Sequence, residues 1–108
     1  MEQPENPELT QLQNLQRQLQ IVTSQKQRFE FEAAQTELCL DELKKAEGKV
    51  YKAIGTLLVE SKKNELKKEL SERKENMSLR IETLKKQEEK LKTKVEELMK
   101  KIESNIKK

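Results

Sequence analysis

Apolar residues recur at alternating intervals of three and four along two long segments of the chain. The first, from Leu9 to Ala46, contains neither Gly nor Pro, so an unbroken helix of about 38 residues is possible there. Its heptad position a holds Leu12, Leu19, Lys26, Ala33 and Leu40, and its position d holds Leu15, Val22, Phe29, Thr36 and Leu43. A repeat this long predicts one helix of a coiled coil.

The second segment, from about Lys62 to Lys108, also lacks Gly and Pro. Its a positions are Lys74, Ile81, Glu88, Val95 and Ile102, and its d positions are Leu70, Met77, Leu84, Leu91, Leu98 and Asn105, with Leu66 one turn earlier. Glutamates four residues before a Lys or Arg add favourable pairs along this helix. This segment predicts the partner helix of the coiled coil.

The first predicted helix departs from an ideal heptad pattern, with a polar residue inside its seam and apolar residues outside it. Lys26 lies within the seam, where a polar side chain usually sets the register. Ile21, Phe31 and Leu38 fall off the seam and predict a second, partly apolar face on the first helix.

The period changes between the two segments, at residues 50–60, which are rich in β-branched and aromatic residues. Gly55 lies near the middle, where it would cost a helix about 1 kcal/mol, and Gly48 suits the left-handed end of the first helix. Two short apolar runs around a glycine predict a β-hairpin. The helices must then run antiparallel, with Leu43 near Leu66 to Leu70 and Leu12 near Leu98 to Ile102.

The predicted fold class is therefore mainly α, a long antiparallel two-helix coiled coil joined by a single β-hairpin. Its predicted segments are 1–47 for the first helix, 48–61 for the hairpin and 62–108 for the second helix, forming one domain. Residues 1–8 are expected to be a frayed lead-in in which Asn6 caps the first helix and Pro7 occupies its first turn.

The predicted hairpin is unusually apolar, and an isolated hairpin is marginal in water with both edges open to pairing. The residues that predict assembly are Val50, Tyr51, Ile54, Gly55, Leu57, Leu58 and Val59. We expect hairpins from several subunits to cover one another as an intersubunit β-barrel. The alternative is a local cap that folds onto the end of its own coil.

The composition supports a thin core and argues against a nucleic-acid partner. Charged residues make up 40% of the chain and apolar residues 32%, too little apolar area for a compact sphere. Residues 1–48 carry five Lys or Arg and nine Asp or Glu (−4), and residues 49–108 carry eighteen and eleven (+7), which gives the net +3. Attraction between the two helices explains this asymmetry better than nucleic-acid binding, because the basic residues are mostly Lys interleaved with Glu.

Chemistry-bearing residues are scarce. There is no His, only two Gly, and a single Cys, Cys39, for which inert packing beside Leu38 and Leu40 is expected. The glutamate pairs Glu88/Glu89 and Glu96/Glu97 are interpreted as solvated helix faces. The sequence predicts no enzyme, cofactor or metal site. The lone Cys, the polar N-terminus and the absence of an apolar stretch of about 20 residues predict a cytoplasmic protein that binds no membrane.

A family resemblance follows from the hairpin motif. The run VYKAIGTLLVE at residues 50–60, followed by Glu65-Leu66, and the phrase LQIVTSQKQ at residues 19–27 resemble the β-type subunit of prefoldin. The single hairpin fits the β class, since α-type subunits are longer and carry two. The resemblance implies a hexamer of two α-type and four β-type subunits that acts as an ATP-independent holdase, binding non-native proteins and delivering them to a double-ring (group II) chaperonin.

The free ends of the helices would form the client-binding tip, because a fraying seam exposes aliphatic side chains that bind many unfolded sequences. The candidates are Leu9, Leu12, Leu15, Leu19, Val95, Leu98, Met99, Ile102 and Ile106. Leu9, Met99 and Ile106 are expected to be exposed. The alternative is that the candidates simply hold the seam closed, and it is strongest for Leu12, Leu15, Leu91 and Leu98. Lysines 100, 101, 107 and 108 around the tip suit an acidic chaperonin surface or simply a solvated basic end.

Two other functions stay open from the residues alone. One is a structural or adaptor coiled coil whose hairpin only reverses the chain. The other is an antiparallel coiled-coil arm that binds RNA.

Overall fold

The computed structural model describes residues 6–106 of the chain. Within that range the elements are α1 (Pro7–Lys45), β1 (Val50–Ile54), β2 (Leu57–Ser61) and α2 (Lys63–Ile106). At 1.5 Å per residue the helices are about 58 Å and about 66 Å long. Two long helices joined by a single antiparallel hairpin confirm the predicted fold class. The intersubunit barrel and the grouping into one domain stay predictions.

Helix α1 begins with the predicted cap. The backbone N–H of Glu8 donates to Oδ1 of Asn6 at 3.0 Å, and Pro7 occupies the first position, where its missing N–H costs nothing. The helix thus starts at Pro7, the residue that was predicted to occupy its first turn. The rest of the predicted lead-in, residues 1–5, lies outside the described residues.

The C-terminal end of α1 is closed by backbone geometry and by a lysine from α2. Gly48 adopts a left-handed backbone with φ +84°. The Lys63 ammonium donates to the carbonyls of Lys44 at 3.3 Å and Ala46 at 3.0 Å. A positive charge at this end also complements the negative end of the helix dipole.

The described residues form two packing units, one of residues 6–27 with 82–106 and one of residues 28–81. In the first, Glu8 accepts a hydrogen bond from Asn105 at 3.3 Å and Lys26 pairs with Glu88 at 2.8 Å, so its helical segments are antiparallel. In the second, Lys74 pairs with Glu37 at 3.3 Å, in the same antiparallel sense.

Burial follows the heptads. From Leu66 to Ile102, the side chains of α2 that are not exposed are those of Leu66, Leu70, Lys74, Met77, Ile81, Leu84, Glu88, Leu91, Val95, Leu98 and Ile102. All ten predicted seam positions of α1 are likewise buried or half-buried, and only Asn105 of the predicted seam is exposed. No large side chain in the described range is fully buried, as expected of a core only one seam wide.

The hairpin register is set by a tight turn. Ile54 pairs with Leu57 and Val50 pairs with Ser61, which leaves Gly55 and Thr56 as a two-residue loop. Gly55 has φ +59°, whereas Thr56 does not have positive φ, the arrangement of a type II′ turn. Glycine is therefore required at Gly55 by the backbone and not by crowding, since a Cβ there would meet open space.

Candidate assembly and binding surfaces

The hairpin presents apolar side chains on both of its faces. Strand alternation and the pairing register place Val50, Ile54, Leu57 and Val59 on one face and Tyr51, Ala53 and Leu58 on the other. Only Val50 is buried, at 8% exposure, whereas Leu57 is 66% and Leu58 73% exposed. Tyr51, Ile54 and Val59 are also exposed.

This exposure argues against the local-cap interpretation of the hairpin, and assembly through the hairpin stays a prediction. A local cap would have buried these side chains against the chain's own helices, and the structure does so for Val50 alone. Both strand edges are also unpaired within the described residues, because the sheet has only two strands. The hairpin is therefore an apolar surface without a cover in the single chain.

One ion pair links the hairpin to α2, and a second spans the hairpin itself. The Lys52 ammonium pairs with the Glu69 carboxylate, and Lys49 lies 4.0 Å from Glu60 across the two strands. Beside this contact, a groove of about 470 Å³ separates the hairpin from the helices. It is lined in part by Leu43, Val50, Ala53, Leu66 and Leu70. Leu43 thus lies near Leu66 and Leu70, as predicted.

The predicted tip residues fall into three groups. Leu9, Met99 and Ile106 are exposed, as expected, and Ile106 is 78% exposed. The half-buried group comprises Leu12, Leu15, Leu19 and Ile102, and the buried group comprises Val95 and Leu98. Glu8 lies between Asn105 and Lys101, 4.0 Å from the Lys101 ammonium, so the ends of α1 and α2 meet. Lys107 and Lys108 lie outside the described residues.

A polar cluster interrupts the apolar seam of residues 6–27 and 82–106. The Glu88 carboxylate accepts hydrogen bonds from the Lys26 ammonium at 2.8 Å and the Thr23 hydroxyl at 2.7 Å, and Lys92 lies 3.8 Å away. Glu88 is only 5% exposed, so its interpretation as part of a solvated face is wrong. The hydrogen bond from Lys26, then that from Thr23, lowers the pKa of Glu88 against the opposing effect of burial.

The sequence did contain a signal for this cluster. Lys26 and Glu88 are both at position a, and the predicted antiparallel register brings them to the same level of the seam. Opposite charges at facing seam positions favour an internal ion pair over two separately solvated side chains. Lys26 pairs with Glu88 across the seam, and its role in setting the register stays a prediction.

The prediction for Cys39 was also wrong. Its side chain is exposed, because the 100° step from Leu40 turns it away from the seam. The off-seam residues Ile21, Phe31 and Leu38 are exposed, at 51%, 64% and 64%. Leu79 of α2, which the periodicity did not single out, is exposed as well.

The described residues offer little for metal or membrane chemistry. No group of three or more His, Cys, Asp or Glu side chains among residues 6–106 is arranged to hold a metal ion. Over the same range, neither helix has a stretch apolar enough to cross a bilayer.

Comparison with known proteins assigns the chain to a family. The family model described as prefoldin subunit matches residues 7–108, almost the whole chain. The chain belongs to the prefoldin subunit family. The members of this family are chaperone subunits.

The relatives agree with the β-type resemblance. The prefoldin subunit beta of Archaeoglobus fulgidus is 45% identical over 65 residues, covering 58% of this chain and 56% of its own length. That of Thermococcus kodakarensis is 39% identical over 64 residues, covering 57% of this chain and 55% of its own length. The matched regions thus span little more than half of these curated relatives.

Solved prefoldin structures extend the match. The prefoldin beta subunit from Thermococcus strain KS-1 has a TM-score of 0.83 at 36% identity, with 96% of each chain covered. The beta2 subunit from the same strain has a TM-score of 0.75 at 26% identity, covering 83% of this chain and 98% of its own.

Proposed function

We propose that this chain is a β-type subunit of a hexameric, ATP-independent holdase. Two α-type and four β-type subunits would join through their hairpins in β-barrels. The tips of the helices would bind non-native proteins and deliver them to a group II chaperonin in the cytoplasm. The family membership and the similarity to prefoldin beta subunits support this assignment.

The observation that carries the assembly part is the uncovered hairpin. Leu57 and Leu58 are about two-thirds and three-quarters exposed at the loop end of the strands, with apolar neighbours on both faces. Burying an aliphatic side chain of this size is worth about 1.5–3 kcal/mol. Further hairpins can cover both faces and pair with both edges, which a single partner helix cannot.

The observation that supports client binding is the exposed aliphatic group at the helix ends. Leu9, Met99 and Ile106 lie on segments that meet in space, and each is at least about half exposed. Aliphatic contacts are non-directional and therefore tolerate many client sequences. Several such tips in one assembly would multiply weak contacts through effective concentration.

The assembly test uses native mass spectrometry with an α-type prefoldin subunit. We expect wild type to form a mixed hexamer and Leu57→Ser/Leu58→Ser to form none. Ile21→Ser, a change at another exposed apolar residue away from the hairpin, is the matched control and should assemble. Hexamer formation by the Leu57/Leu58 variant would contradict assembly through the hairpin. So would a wild-type chain that stays monomeric in the presence of the α-type subunit.

The client test measures aggregation of a denatured model protein without ATP. Leu9→Ser/Met99→Ser/Ile106→Ser should lose most of the suppression while still forming the hexamer. Ile21→Ser should retain it. Undiminished suppression by the tip variant contradicts client binding at these residues. An assembled wild type without any suppression favours the structural or adaptor alternative, and tight binding of a tRNA favours the RNA arm.

A further inference from the structure

The back of α1, within residues 28–81, carries an apolar stripe that the proposed function does not use. Phe31 and Leu38 are both 64% exposed, and Ala34, between them, is exposed as well. With Ala33 and Leu40 at position a, Phe31 and Leu38 each fall at position f, directly opposite the seam. We call Phe31, Ala34 and Leu38 the outer stripe.

Position f normally holds polar residues, because it is the most solvated position of a coiled coil. Phe31 is one of only three aromatic residues in the chain. Two large apolar side chains seven residues apart stand about 10 Å apart along one helix face, with a small residue between them. This spacing matches the apolar side of a second helix, whose anchors recur at i, i+3, i+4 and i+7.

The charged residues that α1 itself carries along the outer stripe are all acidic. Residues 29–43 contain no Lys or Arg, and their five acidic residues are Glu30, Glu32, Glu37, Asp41 and Glu42. Glu32 pairs with Arg28 at 3.7 Å and Glu37 pairs with Lys74 at 3.3 Å. The other three make no ion pair with any residue between 6 and 106.

We propose that the outer stripe docks a basic amphipathic helix of a partner protein, which lays its apolar side on Phe31 and Leu38 and its Lys or Arg residues against Glu30, Asp41 and Glu42. The unpaired carboxylates supply the complementary charge and the orientation. The same charges disfavour the other occupants. A second copy that apposed its own stripe would bring like charges together, and nucleic acid and anionic membranes would be repelled.

The test measures fluorescence anisotropy of a labelled Leu/Lys amphipathic peptide about four turns long. The titrated protein is the chain in its assembled state. A peptide with Glu in place of Lys is the probe control. We expect the basic peptide to bind more tightly at low than at high salt, and the acidic peptide not to bind at this face.

Two variants locate the site. Phe31→Gln/Leu38→Gln should weaken binding about tenfold or more, since two exposed anchors are lost to a residue with good helix propensity. Glu30→Gln/Asp41→Asn/Glu42→Gln should weaken binding and remove most of its salt dependence. Ile21→Gln, at an exposed apolar residue outside the stripe, should change neither the affinity for the basic peptide nor its salt dependence.

Several results would overturn the proposal. These are equal binding of the basic and acidic peptides, unchanged affinity in both stripe variants, or an equal loss in the Ile21 control. A change of subunit composition in Phe31→Gln/Leu38→Gln by native mass spectrometry would also overturn it, because the stripe would then be an interface within the assembly. Client suppression by the tip variants is a separate readout, so failure of the proposed function is distinguishable.

Discussion

Removing the Lys26 ammonium tests how the seam tolerates its polar cluster. Lys26→Met keeps the length and apolar stem of the side chain and deletes the 2.8 Å bond to Glu88. The carboxylate then retains the Thr23 hydroxyl at 2.7 Å and Lys92 at 3.8 Å, and the latter is more than half exposed. Glu88 itself stays excluded from solvent at 5% exposure, so water replaces the lost partner only in part.

The expected magnitude lies between two limits. Breaking a fully buried pair by removing one partner costs about 3–5 kcal/mol, whereas an exposed pair contributes about 0–1 kcal/mol. The side chains of Lys26 and Glu88 are 20% and 6% exposed, and a two-helix seam is thin enough for water to lie close by. We therefore expect Lys26→Met to lower the free energy of unfolding by about 2 kcal/mol.

The assay is urea unfolding followed by circular dichroism, with every protein at the same concentration because oligomerisation shifts apparent stability. Glu37→Gln, which breaks the more exposed pair with Lys74, is the matched control and should cost less than about 0.5 kcal/mol. Equal effects of the two substitutions would refute the reasoning, because desolvation of Glu88 would then contribute nothing.

Replacing both Lys26 and Glu88 separates the contribution of the pair to folding stability from its role in fixing the helix register. Lys26→Leu/Glu88→Leu fills facing a positions with aliphatic side chains, and we expect a stability equal to or above that of wild type. If the cluster fixes the antiparallel register, this variant should populate additional oligomers in native mass spectrometry. A single species identical to wild type would show that the apolar seam alone specifies the register.

Four further predictions concern pH, the turn, the cap and the thiol. Because the pKa of Glu88 is lowered in the folded state, its contribution is complete above the usual value of 4.5 and is lost as pH falls through the folded value, so acid titration should narrow the gap between wild type and Lys26→Met. Gly55→Ala, at φ +59°, should cost about 1 kcal/mol and weaken hairpin-mediated assembly in native mass spectrometry without loss of helical circular dichroism. Asn6→Ala should remove a cap worth about 1 kcal/mol and speed amide exchange at Glu8. Cys39 should react with a thiol reagent in the native protein, and Cys39→Ser should leave stability unchanged.

The sequence by itself determined the architecture of this protein, because each element has a strong local cause. Heptads over more than four repeats permit only a helix that buries one narrow stripe, and Gly55 between two β-branched runs permits a tight turn. The hairpin motif at residues 50–60 also resembles the prefoldin β type.

Only the tertiary structure decided which side chains are buried and which partners they contact where two segments pack together. Glu88 resembles its neighbour Glu89 in sequence, yet only Glu88 faces Lys26 and Thr23 across the seam and is buried. Whether the hairpin folds onto its own coil depends on how its strands lie against α2, and the structure leaves Leu57 and Leu58 uncovered. Burial and partner identity are long-range properties, whereas periodicity reports only which residues share a face.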